Sequence, residues 1–281
     1  MVFKMNNEIV PVSKIKHRNY YFHCINDKNS DFSNFKNLPN CPVFIDEIKQ
    51  VASCFPIVFL KNEQGSFRMA CVFSLLKDLN VFINSENNWL GSYIPAFFRC
   101  QPFFLVKATK DNNDVLCFNS KNPAIKSTPV KDFLPFMTDE KEISEALKNI
   151  LKILFVIEKN REKTHLALES LKTFDLIKEW KIKIKTNDSE KEIQGFFNID
   201  EEKLKSLSAS NLHKLNLNGA LEIAYAQLIS NTKLDTIGSM HLENGNIEKD
   251  HKNLRDKTLE KQQKEKKKEL DQLVENLFDQ D

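Results

Sequence analysis

The stretch from Phe55 to Phe104 constrains the fold more than any other part of this 281-residue chain. Two apolar, strand-like runs, 57–62 and 67–76, are separated only by a short polar loop that carries Gly65. A loop this short joins antiparallel strands, because a crossover between parallel strands needs a dozen or more residues. A third apolar run at Val81–Ile83 is expected to extend this hairpin.

The stretch ends in a dense aromatic segment, defined here as residues 89–104. Because aromatic rings with a few polar groups are common in ligand pockets, the candidate ligand-binding residues are Trp89, Tyr93, Arg99 and Gln101. The alternative, which we favour for the rings, is that Trp89 and the phenylalanines belong to the core. Arg99 needs a partner or a path to solvent among so many phenylalanines. Asp46 and Glu47 are both candidate partners, and the sequence leaves the choice open.

Other apolar runs predict further strands, and two pairs of them are close enough in sequence to form antiparallel hairpins. Short runs at 8–13 and 20–25 read as strands, and a hairpin is expected from two runs at 102–108 and 114–119. Trp180, Ile182 and Ile184 alternate with lysines, which is the pattern of a strand with one buried face, and a second alternating run returns at 193–199.

Helical signals lie between these strands. Helices are predicted over 42–54, with Pro42 in the first turn, over 142–158, with Asp139 and Glu142 as the capping pair, and over 162–174. Asp200 is expected to cap a short helix, and a further helix over 219–234 is expected to bury Leu221, Ala224, Tyr225, Leu228 and Ile229. The predicted fold class is α+β, a mostly antiparallel sheet with packed helices.

Composition changes after Leu234. We therefore divide the chain into an α+β domain at 1–235 and a charged linker and helical tail at 236–281. The only sustained apolar spacing in the tail forms a candidate docking helix for a protein partner, built from Leu270, Leu273, Val274, Leu277 and Phe278.

Charge, cysteine content and the absence of common motifs reduce the number of functions that the sequence supports. The chain has 41 basic and 39 acidic residues, so no concentrated basic surface favours nucleic acid. The six cysteines are predicted to be reduced and mostly buried. We find no P-loop, dinucleotide or serine-hydrolase motif, and the Asp27–Asp31 loop lacks the Gly and Glu of a calcium-binding EF-hand. No catalytic residue, cofactor or metal is therefore assigned.

The sequence also indicates whether any segment directs the protein to a membrane or out of the cell. No stretch is long and apolar enough for a signal peptide or a membrane span, so a cytoplasmic location is expected.

Several blocks carry a family resemblance, in matching order over roughly residues 8–235. They are PVS at Pro11–Ser13, His17, PVFIDEIKQVASCFPIVFL at Pro42–Leu60, NWLGSYIPAFFRCQPF at Asn88–Phe103, GFFNIDEEKLKSL at Gly195–Leu207 and NGALEIAYAQLIS at Asn218–Ser230. Together they resemble the SapC family of bacterial proteins, which is distinct from the peptide-transport permease of the same name.

The resemblance implies a non-catalytic protein associated with the bacterial surface layer, either as a component or as a cytoplasmic accessory, with partners from that system. It supplies no catalytic residues. A component would reach the cell surface by export without a signal peptide. The alternative function is an enzyme or small-molecule-binding protein that uses the aromatic segment around Trp89–Phe104.

Overall fold

A computed structural model of the chain describes residues 9–108, 113–185 and 190–241. The chain divides into two compact units, Met1–Asp235 and Thr236–Asp281. In the second unit only 236–241 are described, and they are helical, so the predicted docking helix lies outside the described residues. Within the described ranges, no helix combines the length and the apolar character that a membrane crossing requires.

The described residues form short strands and helices in an α+β arrangement. The strands are β1 (Ile9–Pro11), β2 (Tyr21–Phe22), β3 (Asn40–Pro42), β4 (Ile57–Lys61), β5 (Phe67–Val72), β6 (Phe103–Lys107), β7 (Asp114–Asn119), β8 (Ile125–Lys126), β9 (Leu134–Pro135), β10 (Ile177–Lys185) and β11 (Glu190–Ile199). The helices are α1 (Ile48–Cys54), α2 (Ala96–Arg99), α3 (Glu145–Thr173), α4 (Glu201–Lys205), α5 (Ala209–Leu217) and α6 (Ala220–Ser230).

The strands form three antiparallel sheets. The largest has the order β10-β11-β4-β5-β3, and the two smaller ones have the orders β1-β7-β6 and β8-β2-β9. The predicted hairpins β4–β5, β6–β7 and β10–β11 are all present. The antiparallel α+β prediction is therefore confirmed.

The predicted third strand at Val81–Ile83 is wrong. These residues form turns, and Ile83 makes only an isolated bridge with Trp89. The edge beside β5 is taken instead by β3, where Cys41 pairs with Cys71. Pro42 therefore lies in a strand rather than in the first turn of a helix, and an edge strand tolerates its missing N–H.

A single helix, α3, replaces the two helices predicted at 142–158 and 162–174. Its N-cap is Ser144, whose hydroxyl accepts from the Leu147 N–H at 3.2 Å, and not Asp139. Two buried polar residues, Asn160 and Thr164, continue the buried stripe through the predicted break. The helix contacts β5 and β6, whereas α6 contacts β4 and β11, so α6 and not α3 is the main cover of the β10–β11 hairpin.

The buried face of α6 differs from the predicted one. Tyr225 and Ile229 are exposed, and the helix buries Ala220, Ile223, Ala224, Gln227 and Ser230. The Gln227 side-chain amide accepts from Ile199 N at 3.0 Å and donates to Ile57 O at 3.2 Å. The Gln227 amide therefore replaces a backbone hydrogen bond between β4 and β11 at the point where the two strands separate.

Two aromatic clusters fill the interior. One surrounds Trp89, which is 2 % exposed and is in contact with Phe32, Phe55, Phe73, Phe82 and Phe98. The other joins Phe22, Phe103, Phe118 and Phe136 to the apolar face of α3 at Leu147, Ile150, Leu154 and Ile157. These clusters hold α2 and α3 in fixed positions on either side of the site described next.

Candidate functional site

A cleft of about 490 Å³ opens between α2, α3 and the 3₁₀ turn Ile45–Glu47 that precedes α1. We name it the Glu47 cleft. Its lining residues are Phe44, Asp46, Glu47, Gln50, Tyr93, Ala96, Arg99, Lys152, Ile153, Val156, Ile157 and Asn160. Its volume lies within the roughly 300–1,000 Å³ that small-molecule sites occupy.

Glu47 is the buried acid of this cleft, with 8 % of its surface exposed. Its Oε2 accepts from the Tyr93 hydroxyl at 2.8 Å and from the Ala96 N–H at 2.9 Å. Ala96 is the first residue of α2, so the carboxylate satisfies an N–H that has no partner within the helix. Its other oxygen, Oε1, is buried without a hydrogen-bond partner among the described residues.

Tyr93 connects Glu47 to Arg99. While its hydroxyl donates to Glu47, it accepts from Arg99 Nη2 at 3.3 Å, and the guanidinium carbon lies 5.9 Å from the ring centroid. Burial and the neighbouring Glu47 carboxylate raise the pKa of Tyr93, so the phenol stays protonated. Arg99 Nε is buried and has no partner in the described part of the chain.

Burial also raises the pKa of Glu47, against the lowering effect of the Ala96 and Tyr93 hydrogen bonds and of the Arg99 charge. The protein therefore holds a carboxyl group in a place that disfavours its charge. Because Oε2 already accepts two hydrogen bonds, a proton on this group would reside on Oε1, the oxygen without a partner.

A second acid, Asp46, belongs to the same 3₁₀ turn as Glu47 and is bonded to α3. Asn160 Nδ2 donates to Asp46 Oδ2 at 2.6 Å. The next turn of α3 is tied to the same loop, because Thr164 Oγ1 accepts from Ile45 N at 3.1 Å and donates to Asn160 O at 2.7 Å. Asn160 is 1 % exposed, and its Oδ1 has no partner among the described residues.

The four residues proposed from the sequence are not all brought together. Tyr93 and Arg99 line the Glu47 cleft. Trp89 belongs to the core, where its indole N–H donates to Tyr93 O at 2.8 Å and so fixes the loop that carries Tyr93. Gln101 lines a separate cavity of about 280 Å³ with His23 and Pro102.

Sequence reasoning named Asp46 and Glu47 only as alternative partners for Arg99, and it did not name Asn160. In the structure Glu47 is connected to Arg99 through Tyr93, and Asp46 is bonded to Asn160. The available signal for Asn160 was its place in the apolar spacing of α3, three residues after Ile157 and four before Thr164.

A SapC family model matches residues 12–237. The chain belongs to the SapC family. Comparisons with curated proteins and with solved structures find no match. For this SapC protein, the match spans the whole of the Glu47 cleft, from Phe44 to Asn160.

The groups that this SapC protein presents at the cleft can interact with a ligand by charge and hydrogen bonding. Two acids and one guanidinium face an apolar wall formed by Ile153, Val156 and Ile157 of α3. Within the residues that the structure describes, no group of three or more His, Cys, Asp or Glu side chains is arranged to hold a metal ion.

Proposed function

We propose that this protein acts without catalysis in the bacterial surface-layer system, either as a component or as a cytoplasmic accessory, and that the Glu47 cleft binds its ligand. Membership of the SapC family supports the surface-layer role, because the resemblance to that family implies an association with the surface array. Partners are then proteins of that system. The accessory acts in the cytoplasm, whereas the component reaches the surface by signal-less export.

One observation carries the binding role of the cleft. Glu47 Oε1 and Asn160 Oδ1 are buried acceptors without partners in the described chain, and both residues line the same cavity. A buried polar atom left unpaired costs about 1–3 kcal/mol. Two such atoms beside one cavity favour a site that a ligand completes, in the way that active sites commonly keep destabilising groups.

Complementation in a native host tests both parts of this proposal. Val156 is about half exposed and lines the cleft, so Val156→Trp fills the entrance with little effect on the core. Phe155, on the same helix and equally exposed, lines a different recess with Lys159, so Phe155→Trp is the matched control.

The proposal predicts that gene deletion disrupts the surface array, that the Phe155→Trp variant restores it and that the Val156→Trp variant does not. An unchanged array after deletion would refute the surface-layer role, and rescue by both variants would refute the role of the cleft. Protease treatment of intact cells separates the two forms, because only a surface component is digested.

The second candidate function is an enzyme acting at the same cleft. The raised pKa of Glu47 favours it, because a carboxyl group holds its proton to a higher pH when its pKa is raised and is then better suited to act as a general acid. Mass spectrometry of a ligand recovered after long incubation distinguishes the two. Unchanged ligand supports a binding protein, and conversion that Glu47→Gln abolishes supports an enzyme.

A further inference from the structure

Three residues that line the Glu47 cleft each have a buried hydrogen-bonding atom without a partner among the described residues, and these atoms favour a specific ligand chemistry. Two of them, Glu47 Oε1 and Asn160 Oδ1, are acceptors, and the third, Arg99 Nε, is a donor. The Asn160 amide orientation is fixed by chemistry, because its other atom lies 2.6 Å from a carboxylate oxygen of Asp46 and must therefore be the donating Nδ2. A ligand that satisfies all three atoms must donate hydrogen bonds to Glu47 Oε1 and Asn160 Oδ1 and accept one from Arg99 Nε.

The charges around the cleft are consistent with this division. Three surrounding cations are already engaged: Lys152 with Glu145 at 3.6 Å, Arg161 with Glu158 at 2.8 Å and Lys49 with Glu222 at 3.5 Å. Asp46 and Glu47 make no ion pair within the described residues, and Glu47 is linked to the charge of Arg99 only through Tyr93. The acidic side of the cleft therefore favours a cationic group, and the Arg99 side favours an anionic one.

The spacing of these groups favours a short zwitterion. Glu47 Oε2 lies 2.8 Å and Arg99 Nη2 lies 3.3 Å from the Tyr93 hydroxyl oxygen. The carboxyl group and the guanidinium are therefore close to each other. In an α-amino acid the ammonium and the carboxylate are separated by a single carbon. Its side chain would then meet the wall of Ile153, Val156 and Ile157, which favours an aliphatic group.

We propose that the Glu47 cleft binds a free α-amino acid with an aliphatic side chain. The ammonium group donates to Glu47 Oε1 and Asn160 Oδ1, and the carboxylate accepts from the Arg99 guanidinium. This assignment rests on the proposed binding function of the cleft, and it names the class of ligand.

Isothermal titration calorimetry with three matched probes tests the assignment. L-leucine carries both charged groups, 3-methylbutylamine carries only the ammonium, and 4-methylpentanoate carries only the carboxylate. Since a hydrogen bond to a charged group contributes about 1.5–3 kcal/mol, leucine should bind at least about tenfold more tightly than either half-molecule. Equal affinity for leucine and one half-molecule would overturn the proposal.

Two variants assign each half of the ligand to its protein group. Glu47→Gln should weaken leucine and 3-methylbutylamine by about tenfold or more and leave 4-methylpentanoate within about twofold. Arg99→Gln should show the reverse pattern. Retained binding of the unaffected half-molecule demonstrates that each variant is folded, so a uniform loss across all three probes would also contradict the assignment.

Failure of this inference is distinguishable from failure of the proposed function. If the Val156→Trp variant does not restore the surface array but leucine shows no preference over its halves, the cleft has a different ligand and the amino-acid assignment is wrong. If leucine binds with the predicted pattern but the Val156→Trp variant restores the array, the assignment stands and the proposed role of the cleft is wrong.

Discussion

Gln227 gives the most quantitative prediction about the fold. This residue of α6 is fully buried, and its amide joins β4 to β11 through Ile57 O and Ile199 N. Replacing it with methionine keeps a similar volume and removes both of these hydrogen bonds, together with the one that Gln227 Nε2 donates to Asn231 Oδ1 at 2.7 Å. Ile57 and Ile199 are at most 1 % exposed, so water does not replace the lost partner.

The expected loss follows from these two contacts. Each buried backbone group left without a partner costs about 1–3 kcal/mol, so Gln227→Met should lower the free energy of unfolding by about 2–6 kcal/mol. That is a large part of the roughly 5–15 kcal/mol that stabilises a typical domain. Urea denaturation followed by circular dichroism measures the change.

Glu222→Met is the matched control on the same helix. Glu222 is exposed and makes a 3.5 Å surface ion pair with Lys49, so this change should cost under about 1 kcal/mol. The reasoning would be refuted if Gln227→Met cost no more than this control. In that case β11 would have moved to pair directly with Ile57, and the side chain would not be a necessary link.

Three further predictions concern other parts of the described structure. Because burial raises the pKa of Glu47, the folded state keeps its proton where the unfolded chain has lost it, and stability falls as pH rises from the ordinary to the raised value. Glu47→Gln should therefore melt at a higher temperature than wild type above that window and equally below it, and a lower melting temperature at a pH above the window would contradict this. Ile182 is buried and Lys183 exposed, so Ile182→Asp should cost several kcal/mol and Lys183→Asp under about 1 kcal/mol in chemical denaturation, with the reverse order indicating the wrong face. Among the six free cysteines only Cys54 is not buried, so a thiol reagent should label about one cysteine per native chain and none after Cys54→Ser.

Much of the sheet could be predicted because its signals are local. The β4–β5 hairpin shows two apolar runs joined by a short loop, the β10–β11 hairpin shows alternating apolar residues, and both are present. The run Val81–Ile83 has the same composition as a strand but forms turns, with Phe82 N donating to the Asn80 side chain at 3.0 Å. A short apolar run fixes burial and not secondary structure, which is why this strand was predicted wrongly.

Buried polar residues account for the other differences. Gln227 and Ser230 are polar, and the sequence therefore suggests that they are exposed. In the structure they lie on the buried face of α6, because their side chains bond to backbone groups of Ile57 and Ile199. Tyr225 and Ile229, which hydrophobicity favours for burial, are exposed instead. Only the tertiary partners decide these positions.

The site was predictable to the extent that a charge inside an apolar segment needs a partner. That argument identified Arg99 and named Asp46 and Glu47 as alternative partners, whereas Tyr93 was a candidate only as a member of the aromatic segment. In the structure Arg99 donates to the Tyr93 hydroxyl, which in turn donates to Glu47, so Arg99 and Glu47 are linked through Tyr93. Asn160 could not be assigned, because its role depends on the approach of α3 to the turn that carries Asp46.

The most direct test of the central claim is the pKa of the Glu47 carboxyl group, measured by NMR on ¹³C-labelled protein with and without saturating L-leucine. The signal is assigned by its absence in the Glu47→Gln variant. Our account predicts a pKa above the ordinary range in the free protein, because of burial, and a lower pKa in the complex, because the ligand ammonium stabilises the charged form. A pKa in the ordinary range that leucine leaves unchanged would contradict it.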